Sequence, residues 1–373
     1  MSPGALTDGR HYLDHASTSP LRPGVAEAMA PWLGAADPGR VHTEGRMARA
    51  ALEDARDRIA SALGCRASRE VVLTSGATEA VAMATWGAIR RTPAGPVVAA
   101  AVEHSCVREW AARAGGGVVE PPVDAAARIS LEGVDLRGAA LVNVQWGNHE
   151  VGTRQPVGEV VAAARGAGAL VHVDAAQAAG RVAIDFAALG ADLVSVSAHK
   201  LGGPRGVGAL LVRRGLRVEP LLVGGAQERM RRAGLEYVAG AVGFAAALDG
   251  VDPVAEGARQ DQLTQRLLRE AASAPGVIRF TPEERLPHIA CFGLEAIEAE
   301  PVLLGLDQAG IAVHSGSSCS SELLEPSAVL EAMGVDGDRS LRVSVGWSTT
   351  DDDVTTFLTA LPQVLAALGS LRT

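Results

Sequence analysis

The stretch VHVDAAQAAGRVAIDFAALGADLVSVSAHKLGGPRGVGALLV, residues 171–212, decides how the rest of the chain is interpreted. It contains two short apolar runs, VHVDAA and DLVSVSA, and each run stops at polar residues. Short runs of this kind are typical of parallel strands that are buried on both faces. The first run reaches Asp174, and the second leads to Ser197, His199 and Lys200 before a glycine-rich turn. In open α/β sheets, ligands bind at the carboxyl ends of such strands.

An acid and a lysine at the ends of neighbouring buried strands suit pyridoxal phosphate (PLP). The lysine can form an imine with the aldehyde of the cofactor, and the aspartate can keep the pyridine nitrogen protonated, so that the ring withdraws electrons. Taken singly, Lys200 would be interpreted as a surface lysine and Asp174 as a helix cap. Together with Gln177 and His199, the pair favours the cofactor.

Composition limits the possible classes of protein. A length of 373 residues predicts one large α/β unit plus a smaller one. The formal net charge of -9 argues against nonspecific nucleic-acid binding. The cysteines are widely spaced without a CxxC pair, which is typical of reduced thiols and not of a disulfide scaffold or a zinc site: Cys65, Cys106, Cys291 and Cys319. Because no apolar signal core or membrane-spanning run is found, we expect a soluble cytoplasmic protein without membrane partners.

Strands and helices alternate over the first two-thirds of the sequence. Strand-like runs occur in PVVAAAVEH, ALVNVQWGN and GALLVRR, and helical segments such as residues 156–165 separate them. This alternation predicts a mostly parallel sheet covered by helices on both faces. From about Ala239 the pattern changes to a long helical stretch marked by Pro253, followed by a smaller α+β part. Several polar residues fall at or just after the predicted strand ends: His104, Asn148, Asp174, Gln177 and Lys200.

The segment VVLTSGATEAVAMATWGAI, residues 71–89, predicts a strand that turns into a helix through SGAT. At such a junction, free backbone N–H groups and the positive end of the helix face an anion. Ala77 and Thr78 are therefore candidates for binding the phosphate of the cofactor. In isolation the same turn would be interpreted as a simple helix cap.

Three further residues are candidates for chemistry. Cys319 lies among glycine and serine in GIAVHSGSSCSSELLEPSAVLEAMG, residues 310–334, which favours a reactive thiol on an exposed loop over a small buried hydrophobe. The other three cysteines are interpreted as structural. His104 can stack on a planar cofactor or exchange protons, with a structural histidine as the alternative. Arg342, in an apolar strand, is expected to bind a carboxylate, either of an amino-acid substrate or of an internal salt bridge.

Together these motifs resemble the cysteine desulfurases of the class V aminotransferase family, which are PLP enzymes of fold type I. The motifs are SGATEA, VEHSCV, WGNHEVG, HVDAAQ, SAHKLGGPRGVGAL, GGAQERMRRAG and SGSSCSSELLEPSAVLEAMG, the last resembling the group I type. The resemblance implies a mostly parallel seven-stranded sheet in a large domain, residues 12–245. Residues 1–11 and 246–373 would form a smaller α+β domain that carries the cysteine loop. A homodimer whose partner subunit completes the active site is also implied.

The resemblance also implies a role for each candidate residue. Lys200 would bind PLP and move protons, Asp174 would pair with the pyridine nitrogen, Gln177 would contact the ring oxygen, and His104 would stack on the ring. The phosphate would be held by four residues: Ala77, Thr78, Ser197 and His199. The substrate carboxylate would be bound by Asn148 and Arg342. Cys319 would attack the sulfur of L-cysteine, giving L-alanine and a Cys319 persulfide for a protein sulfur acceptor.

Two alternatives remain on the same fold. A PLP-dependent C–S or C–Se lyase, or a selenocysteine lyase, would release sulfide or selenide without needing Cys319. A noncatalytic scaffold protein would keep the fold and lose the chemistry. The sequence departs from the family at Leu235, where a threonine usually reaches the phosphate bound by the partner, and at Tyr237. The segment DPGRVHTEG also lacks the usual Asn-Pro-Ser.

Overall fold

The computed structural model describes residues 9–92, 94–316 and 327–370. Its helices and strands alternate through the first two-thirds of the chain, as predicted. In these residues the strands are, in chain order, β1 (His11–Tyr12), β2 (Val71–Thr74), β3 (Val97–Val98), β4 (Val118–Val119), β5 (Leu141–Gln145), β6 (Leu170–Asp174), β7 (Leu193–Ser197), β8 (Gly208–Val212), β9 (Val277–Arg279), β10 (Ile289–Leu294), β11 (Ile311–Ala312), β12 (His314–Ser315) and β13 (Ser340–Ser344). The α-helices are α1 (Val25–Met29), α2 (Thr43–Ala62), α3 (Ala77–Arg91), α4 (Ser105–Ala112), α5 (Val157–Gly166), α6 (Phe186–Leu189), α7 (Gln227–Met230), α8 (Val238–Asp249), α9 (Pro253–Ala271), α10 (Ala299–Gln308), α11 (Ala328–Ala332) and α12 (Asp351–Ser370).

The main sheet has seven strands in the order β2-β8-β7-β6-β5-β3-β4. Strand β8 runs antiparallel to both of its neighbours, and every other neighbouring pair in this sheet is parallel. The predicted mostly parallel, seven-stranded sheet is therefore confirmed. Since β5, β6 and β7 are parallel neighbours, their carboxyl ends meet at one edge, where the predicted polar residues are concentrated.

Helices cover both faces of this sheet. On one face, Val171 and Val194 share a core with Leu52 of α2 and Phe244 of α8. On the other face, strand residues such as Leu193 pack against α3 and α4. Fully burying one Val or Leu side chain contributes about 1.5–3 kcal/mol, so the two cores hold the sheet between its helices. The strands are consequently mostly apolar on both sides, with Asn143, His172 and Ser195 as buried polar exceptions in their interior.

A second, four-stranded sheet has the order β12-β13-β10-β9 and is antiparallel throughout. It shares a separate apolar core with α9, α10 and α12, which includes Phe292, Phe357 and Leu267. Strand β1, near the start of the chain, pairs in parallel with β11, and Leu13 joins this second core. The carboxyl-terminal part thus has the mixed helix and strand content expected from the sequence. The domain division at residues 245 and 246 stays a prediction.

Among the described residues no single helix is long and apolar enough to cross a membrane. Helices α8 and α9 reach that length and composition only when they are taken together, and the chain bends by 73° between them. Most of α8 is buried. Its position beside α2 accounts for its apolar sequence, because both belong to the core under the main sheet.

Candidate active site

A cavity of about 700 Å³ opens at the carboxyl edge of the main sheet. Asp174 is the last residue of β6 and Ser197 the last of β7, while Lys200 lies in the 3-10 turn that follows β7, Ala198–Leu201. The two strand ends are therefore adjacent, as the sequence predicts. Nine of the predicted site residues line this cavity: Ala77, Thr78, His104, Asp174, Gln177, Ser197, His199, Lys200 and Arg342.

The carboxylate of Asp174 is fixed by two hydrogen bonds from the same chain. Its Oδ1 accepts hydrogen bonds from the backbone N–H of Ala176 at 2.9 Å and from the hydroxyl of Ser195 at 3.2 Å. Only 8% of Asp174 is exposed. A carboxylate fixed by two donors in a buried position keeps its direction, which suits pairing with one ring nitrogen.

Lys200 is half-buried, and two side chains hold its backbone carbonyl. The carbonyl oxygen of Lys200 accepts hydrogen bonds from Arg181 Nη2 at 2.7 Å and from Ser19 Oγ at 2.9 Å. The two donors lie 19 and 181 residues away in the sequence, and together they anchor the turn that carries the lysine. The point from which the Lys200 side chain enters the cavity is therefore fixed by the fold.

The phosphate end of the cavity is formed by the first turn of α3. Gly76 precedes the helix without a side-chain cap, so the N–H groups of the first turn, those of Ala77 and Thr78 included, have no carbonyl partner within the helix. Gly208 of β8 lies so close to this turn that a Cβ would be 2.5 Å from the Val196 carbonyl oxygen and 2.8 Å from Gly76 Cα. A glycine at this position therefore allows the strand and the turn to approach each other.

His199 faces the same end of the cavity, and its Nδ1 lies 3.1 Å from the hydroxyl oxygen of Thr18. Burial, and then the charge of Lys200, lower the pKa of His199 to about 4. The ring is therefore neutral near pH 7 and can act as a hydrogen-bond donor to a phosphate through one nitrogen only. Thr18, which the sequence analysis did not select, also lines the cavity.

His104 caps helix α4. Its Nδ1 accepts a hydrogen bond from the backbone N–H of Cys106 at 3.2 Å, and Cys106 Sγ lies 3.1 Å from the same nitrogen. Because Nδ1 is the acceptor, the ring proton lies on Nε2 when His104 is neutral. The position at the cavity wall is compatible with stacking on a planar ring.

The sequence predicts a structural role for Cys106, and in the structure this residue also lines the cavity. It lines the cavity beside His104, whereas Cys291 is buried in β10. Burial raises the pKa of the Cys106 thiol to about 12, so it is a protonated thiol near neutral pH. Its position two residues after His104, at the start of a helix, is the signal in the sequence that was missed.

Gln177 has both ends of its amide engaged. Its Nε2 donates to the backbone oxygen of Ala16 at 2.9 Å, and its Oε1 lies 3.1 Å from His288 Nε2. An amide oxygen only accepts, so His288 donates from Nε2. The second N–H of the Gln177 amide is the group that can donate a hydrogen bond to a ring oxygen.

Arg342 lies in β13 and is almost fully buried, with 2% exposed. Its Nη1 donates to the backbone oxygen of His149 at 2.8 Å, and its Nη2 contacts Asp14 Oδ1 at 2.9 Å and Ser17 Oγ at 2.7 Å. The internal salt bridge considered for this arginine is therefore present, with Asp14 as the acid. The residue lines the cavity as well, and its binding of a substrate carboxylate stays a prediction.

Asn148, predicted to bind the substrate carboxylate, lies behind the cavity wall. It is fully buried, its Nδ2 donates to the backbone oxygen of Val102 at 3.1 Å, and its Oδ1 accepts from the N–H groups of Glu150 and Val151 at 2.9 Å. It is not among the residues that line the cavity, whereas the next residue, His149, is. The ring of His149 lies 5.1 Å from that of His104, tilted by 58°.

Cys319 lies outside the described residues, as does the segment around it, residues 317–326. Its position relative to the cavity is therefore a prediction. Strand β12 (His314–Ser315) leads toward this segment, and His314 lines the cavity. The described chain thus reaches the cavity only a few residues before Cys319.

The residues present fit PLP by their own chemistry. A buried carboxylate, Asp174, and a lysine at the neighbouring strand end share a cavity whose other end has the N-terminus of α3 for an anion. The N–H groups of that helix and the charge of Arg205 would balance a phosphate. A cofactor with a basic ring nitrogen for Asp174, an aldehyde for Lys200 and a phosphate for the N-terminus of α3 matches these three groups.

Comparison with known proteins agrees with this geometry. The family model for the class V aminotransferases, described as Aminotransferase class-V, matches residues 11–357. A cysteine desulfurase IscS of Dictyoglomus turgidum is 36% identical over 381 residues, which covers 96% of this chain and 95% of the relative. A solved structure described as a NifS-like protein has a TM-score of 0.87 at 29% identity and covers 96% of this chain and 100% of its own.

A structure of SspA in complex with cysteine has a TM-score of 0.79 at 27% identity, covering 91% of this chain and 100% of that one. The resemblance seen in the motifs therefore extends over nearly the whole sequence and the whole fold. The chain belongs to the class V aminotransferase family and, within it, to the cysteine desulfurases.

Proposed function

We propose that this protein is a PLP-dependent L-cysteine desulfurase, which converts L-cysteine to L-alanine and carries the sulfur as a persulfide on Cys319. The observation that carries the proposal is the position of Lys200 and Asp174 at adjacent strand ends in one cavity, with the N-terminus of α3 beside them. The cysteine bound to SspA, a structure of the same fold, supports the choice of substrate.

In this proposal the cofactor supplies one property, the withdrawal of electrons from the α-carbon of the substrate. Lys200 carries the proton to and from that carbon, and Asp174 keeps the ring nitrogen protonated. Gln177 orients the ring oxygen, and His104 stacks on the ring. Arg342, which shares its guanidinium with Asp14, is the group for the substrate carboxylate.

Cys319 performs the sulfur transfer. Its thiolate attacks the sulfur of the substrate, an S–S bond forms, and the C–S bond of the substrate breaks. The electron pair of the broken bond stays on carbon, which takes up a proton, and L-alanine leaves. The persulfide then passes to a protein acceptor, which requires that the thiol reach solvent.

The proposal includes a homodimer in the cytoplasm. Apolar side chains are exposed in one segment, residues 222–237: Leu222, Val223, Met230, Leu235 and Tyr237. Exposed apolar patches of this kind mark interaction surfaces. The occupant that we propose is a second copy of this chain. The reduced thiols expected from the spacing of the cysteines support the location.

The test is product formation by the purified protein supplied with PLP and L-cysteine. We expect L-alanine and a persulfide that maps to Cys319. Cys319→Ser should bind L-cysteine, seen as a change in the visible spectrum, and form almost no alanine. Cys65→Ser and Cys291→Ser are the matched controls and should remain active, because their thiols lie away from the cavity lining.

Two outcomes would replace the proposal. If Cys319→Ser turns over L-cysteine at the parental rate and releases sulfide, the enzyme is a C–S lyase. A comparison with selenocysteine then identifies a selenocysteine lyase, since selenium is the better leaving group. If the protein neither binds PLP nor forms alanine, it is a scaffold that has lost the chemistry.

A further inference from the structure

A row of polar side chains crosses the main sheet directly behind Asp174. Asn143 on β5 is the register partner of His172 on β6, and Ser195 on β7 is the register partner of Asp174. His172 and Ser195 are fully buried, and only 3% of Asn143 is exposed. Polar groups buried this deeply need hydrogen-bond partners, so the direction of each bond in the row can be worked out.

The first bond fixes the proton on His172. Asn143 Nδ2 donates to the backbone oxygen of Val98 at 3.2 Å, which turns the amide oxygen toward His172. Asn143 Oδ1 lies 3.0 Å from His172 Nδ1, and an amide oxygen only accepts. His172 therefore carries its proton on Nδ1. Burial lowers the pKa of His172 to about 4, so the ring is neutral near pH 7 and Nε2 is an acceptor.

Ser195 consequently has two acceptors and one hydrogen. Its Oγ lies 3.1 Å from His172 Nε2 and 3.2 Å from Asp174 Oδ1. The hydroxyl can donate to only one of them at a time. A full negative charge on Asp174 makes it the stronger acceptor, because hydrogen bonds to charged groups are about twice as strong as neutral ones.

We propose that the Ser195 hydroxyl donates to Asp174 and so stabilises its negative charge. When Asp174 is neutral, the same hydroxyl turns and donates to His172 Nε2 instead. Ser195 and His172 are positioning residues, since neither lines the cavity. The inference rests on the proposed function, in which Asp174 pairs with the protonated ring nitrogen of PLP. The row thus connects buried residues of the sheet to Asp174, which keeps the ring nitrogen protonated so that the ring can withdraw electrons.

The experiment compares two cofactors. The dissociation constants of PLP and of an analogue with CH in place of the ring nitrogen are measured for the parent and for Ser195→Ala. In the parent, PLP should bind more tightly than the analogue, because only PLP can pair with Asp174. In Ser195→Ala this preference should fall by about tenfold to a hundredfold, the range expected when a hydrogen bond to a charged group is lost.

Controls separate positioning from general packing. Thr85→Val removes another fully buried hydroxyl, one on α3 without a hydrogen-bond partner in the described chain, and should leave the preference unchanged. His172→Phe removes the competing acceptor and should keep or increase the preference for PLP. Circular dichroism and thermal unfolding establish that each variant is folded before its constants are compared.

The outcomes are distinct. If Ser195→Ala weakens both cofactors equally, Ser195 has only a packing role and the inference is wrong, while the proposed function stands. The inference is also wrong if His172→Phe lowers the preference for PLP as far as Ser195→Ala does. His172 would then act as a hydrogen-bond donor, and the proposed function would again stand. If the parent itself shows no preference for PLP over the analogue, the pairing of Asp174 in the proposed function fails first.

Discussion

The floor of the cavity and the segment beside it, residues 222–237, are built in opposite ways. On the floor, Asp174, Gln177 and the carbonyl of Lys200 each have hydrogen-bond partners from the same chain. In residues 222–237, which we call the rim segment, apolar side chains face solvent, with 76% of Val223 and 72% of Met230 exposed. These floor groups are held by their own chain, whereas the rim segment has the surface of an interface that a partner would cover.

The backbone of the rim segment is also held in an unusual conformation. The short element α7 (Gln227–Met230) is not a regular right-handed helix: Glu228, Arg229 and Met230 have φ angles of 47°, 56° and 64°, a left-handed region that costs non-glycine residues free energy. Glu228 is anchored by a buried pair with Arg56, at 2.6 and 2.7 Å, and by the N–H of Leu73 at 2.9 Å. The strained turn is thus fixed from inside, and its apolar side chains are presented outward.

The rim segment is connected to the cavity. Arg232 contacts Glu79 at 2.8 Å, and Glu79 lies in the first turn of α3 and lines the cavity. A change in the rim segment can therefore reach the phosphate end through one ion pair. The predictions below separate what the floor does alone from what the rim segment needs a partner to do.

The largest effect is expected for Lys200→Ala on the floor. The variant loses the amine that binds PLP covalently and moves the proton at the α-carbon, so turnover should fall by at least roughly a thousandfold. PLP should still bind, held by the phosphate end of the cavity. Borohydride reduction of the parent followed by peptide mapping should find the cofactor on Lys200. A modified lysine or amine elsewhere would show that the assignment is wrong.

Charges in the rim segment should act on assembly instead. In the double variant Val223→Glu and Met230→Glu, two carboxylates would be buried without partners if a second copy covers this surface. An uncompensated buried charge costs about 3–5 kcal/mol, which weakens a dimer more than a hundredfold. Analytical ultracentrifugation of the parent and the variant measures this. Leu304→Glu, at an exposed site on α10, is the matched control. Dimers of equal strength in all three proteins would show that the rim segment is not the dimer interface, and a monomeric parent would contradict the homodimer.

The floor could largely be predicted from the sequence, because strand ends, a glycine-rich turn and a helix start are local signals. Asp174, Lys200 and the α3 turn were found in this way. Asp14 and Ser17, which bind Arg342, were not found, since their contacts depend on a chain separation of more than 300 residues. Asn148 and His149 are adjacent in sequence, but His149 lines the cavity and Asn148 is buried behind it. The sequence does not show in which direction each side chain points.

Beneath the floor, Glu103 is expected to make stability depend on pH. Burial raises its pKa to about 8, an effect that the nearby charge of Asp174 increases. Between the unfolded pKa of 4.5 and about 8, the folded state holds a proton that the unfolded state releases. Stability is therefore lost as pH rises through this window, by about 1.4 kcal/mol per pH unit.

Glu103→Gln removes this titration and keeps a side-chain oxygen for the N–H of Gln145, which Glu103 Oε1 binds at 2.9 Å. The free energy of unfolding of the variant relative to the parent should rise by roughly 2–3 kcal/mol between pH 5.5 and 7.5. Urea unfolding at several pH values measures this difference in the free energy of unfolding. The prediction concerns the slope of the difference against pH. Curves that run parallel would mean that Glu103 titrates normally in the folded protein.

The smallest effect is expected at Leu235, the rim-segment position where the resemblance predicts a threonine. Leu235 is 62% exposed in one subunit, and a leucine has no hydroxyl to offer a phosphate bound by a partner. Leu235→Thr should tighten PLP binding by up to about tenfold to a hundredfold, since a hydrogen bond to a charged group is worth about 1.5–3 kcal/mol. Leu222→Thr is the matched control within the same segment and should leave the dissociation constant unchanged. In the background of the double variant Val223→Glu and Met230→Glu, the gain should disappear, because the hydroxyl would belong to the other subunit. A gain that survives there would place the contact within one chain. An unchanged constant in the dimer would show that another donor, such as Arg205 at the phosphate end, already replaces the threonine.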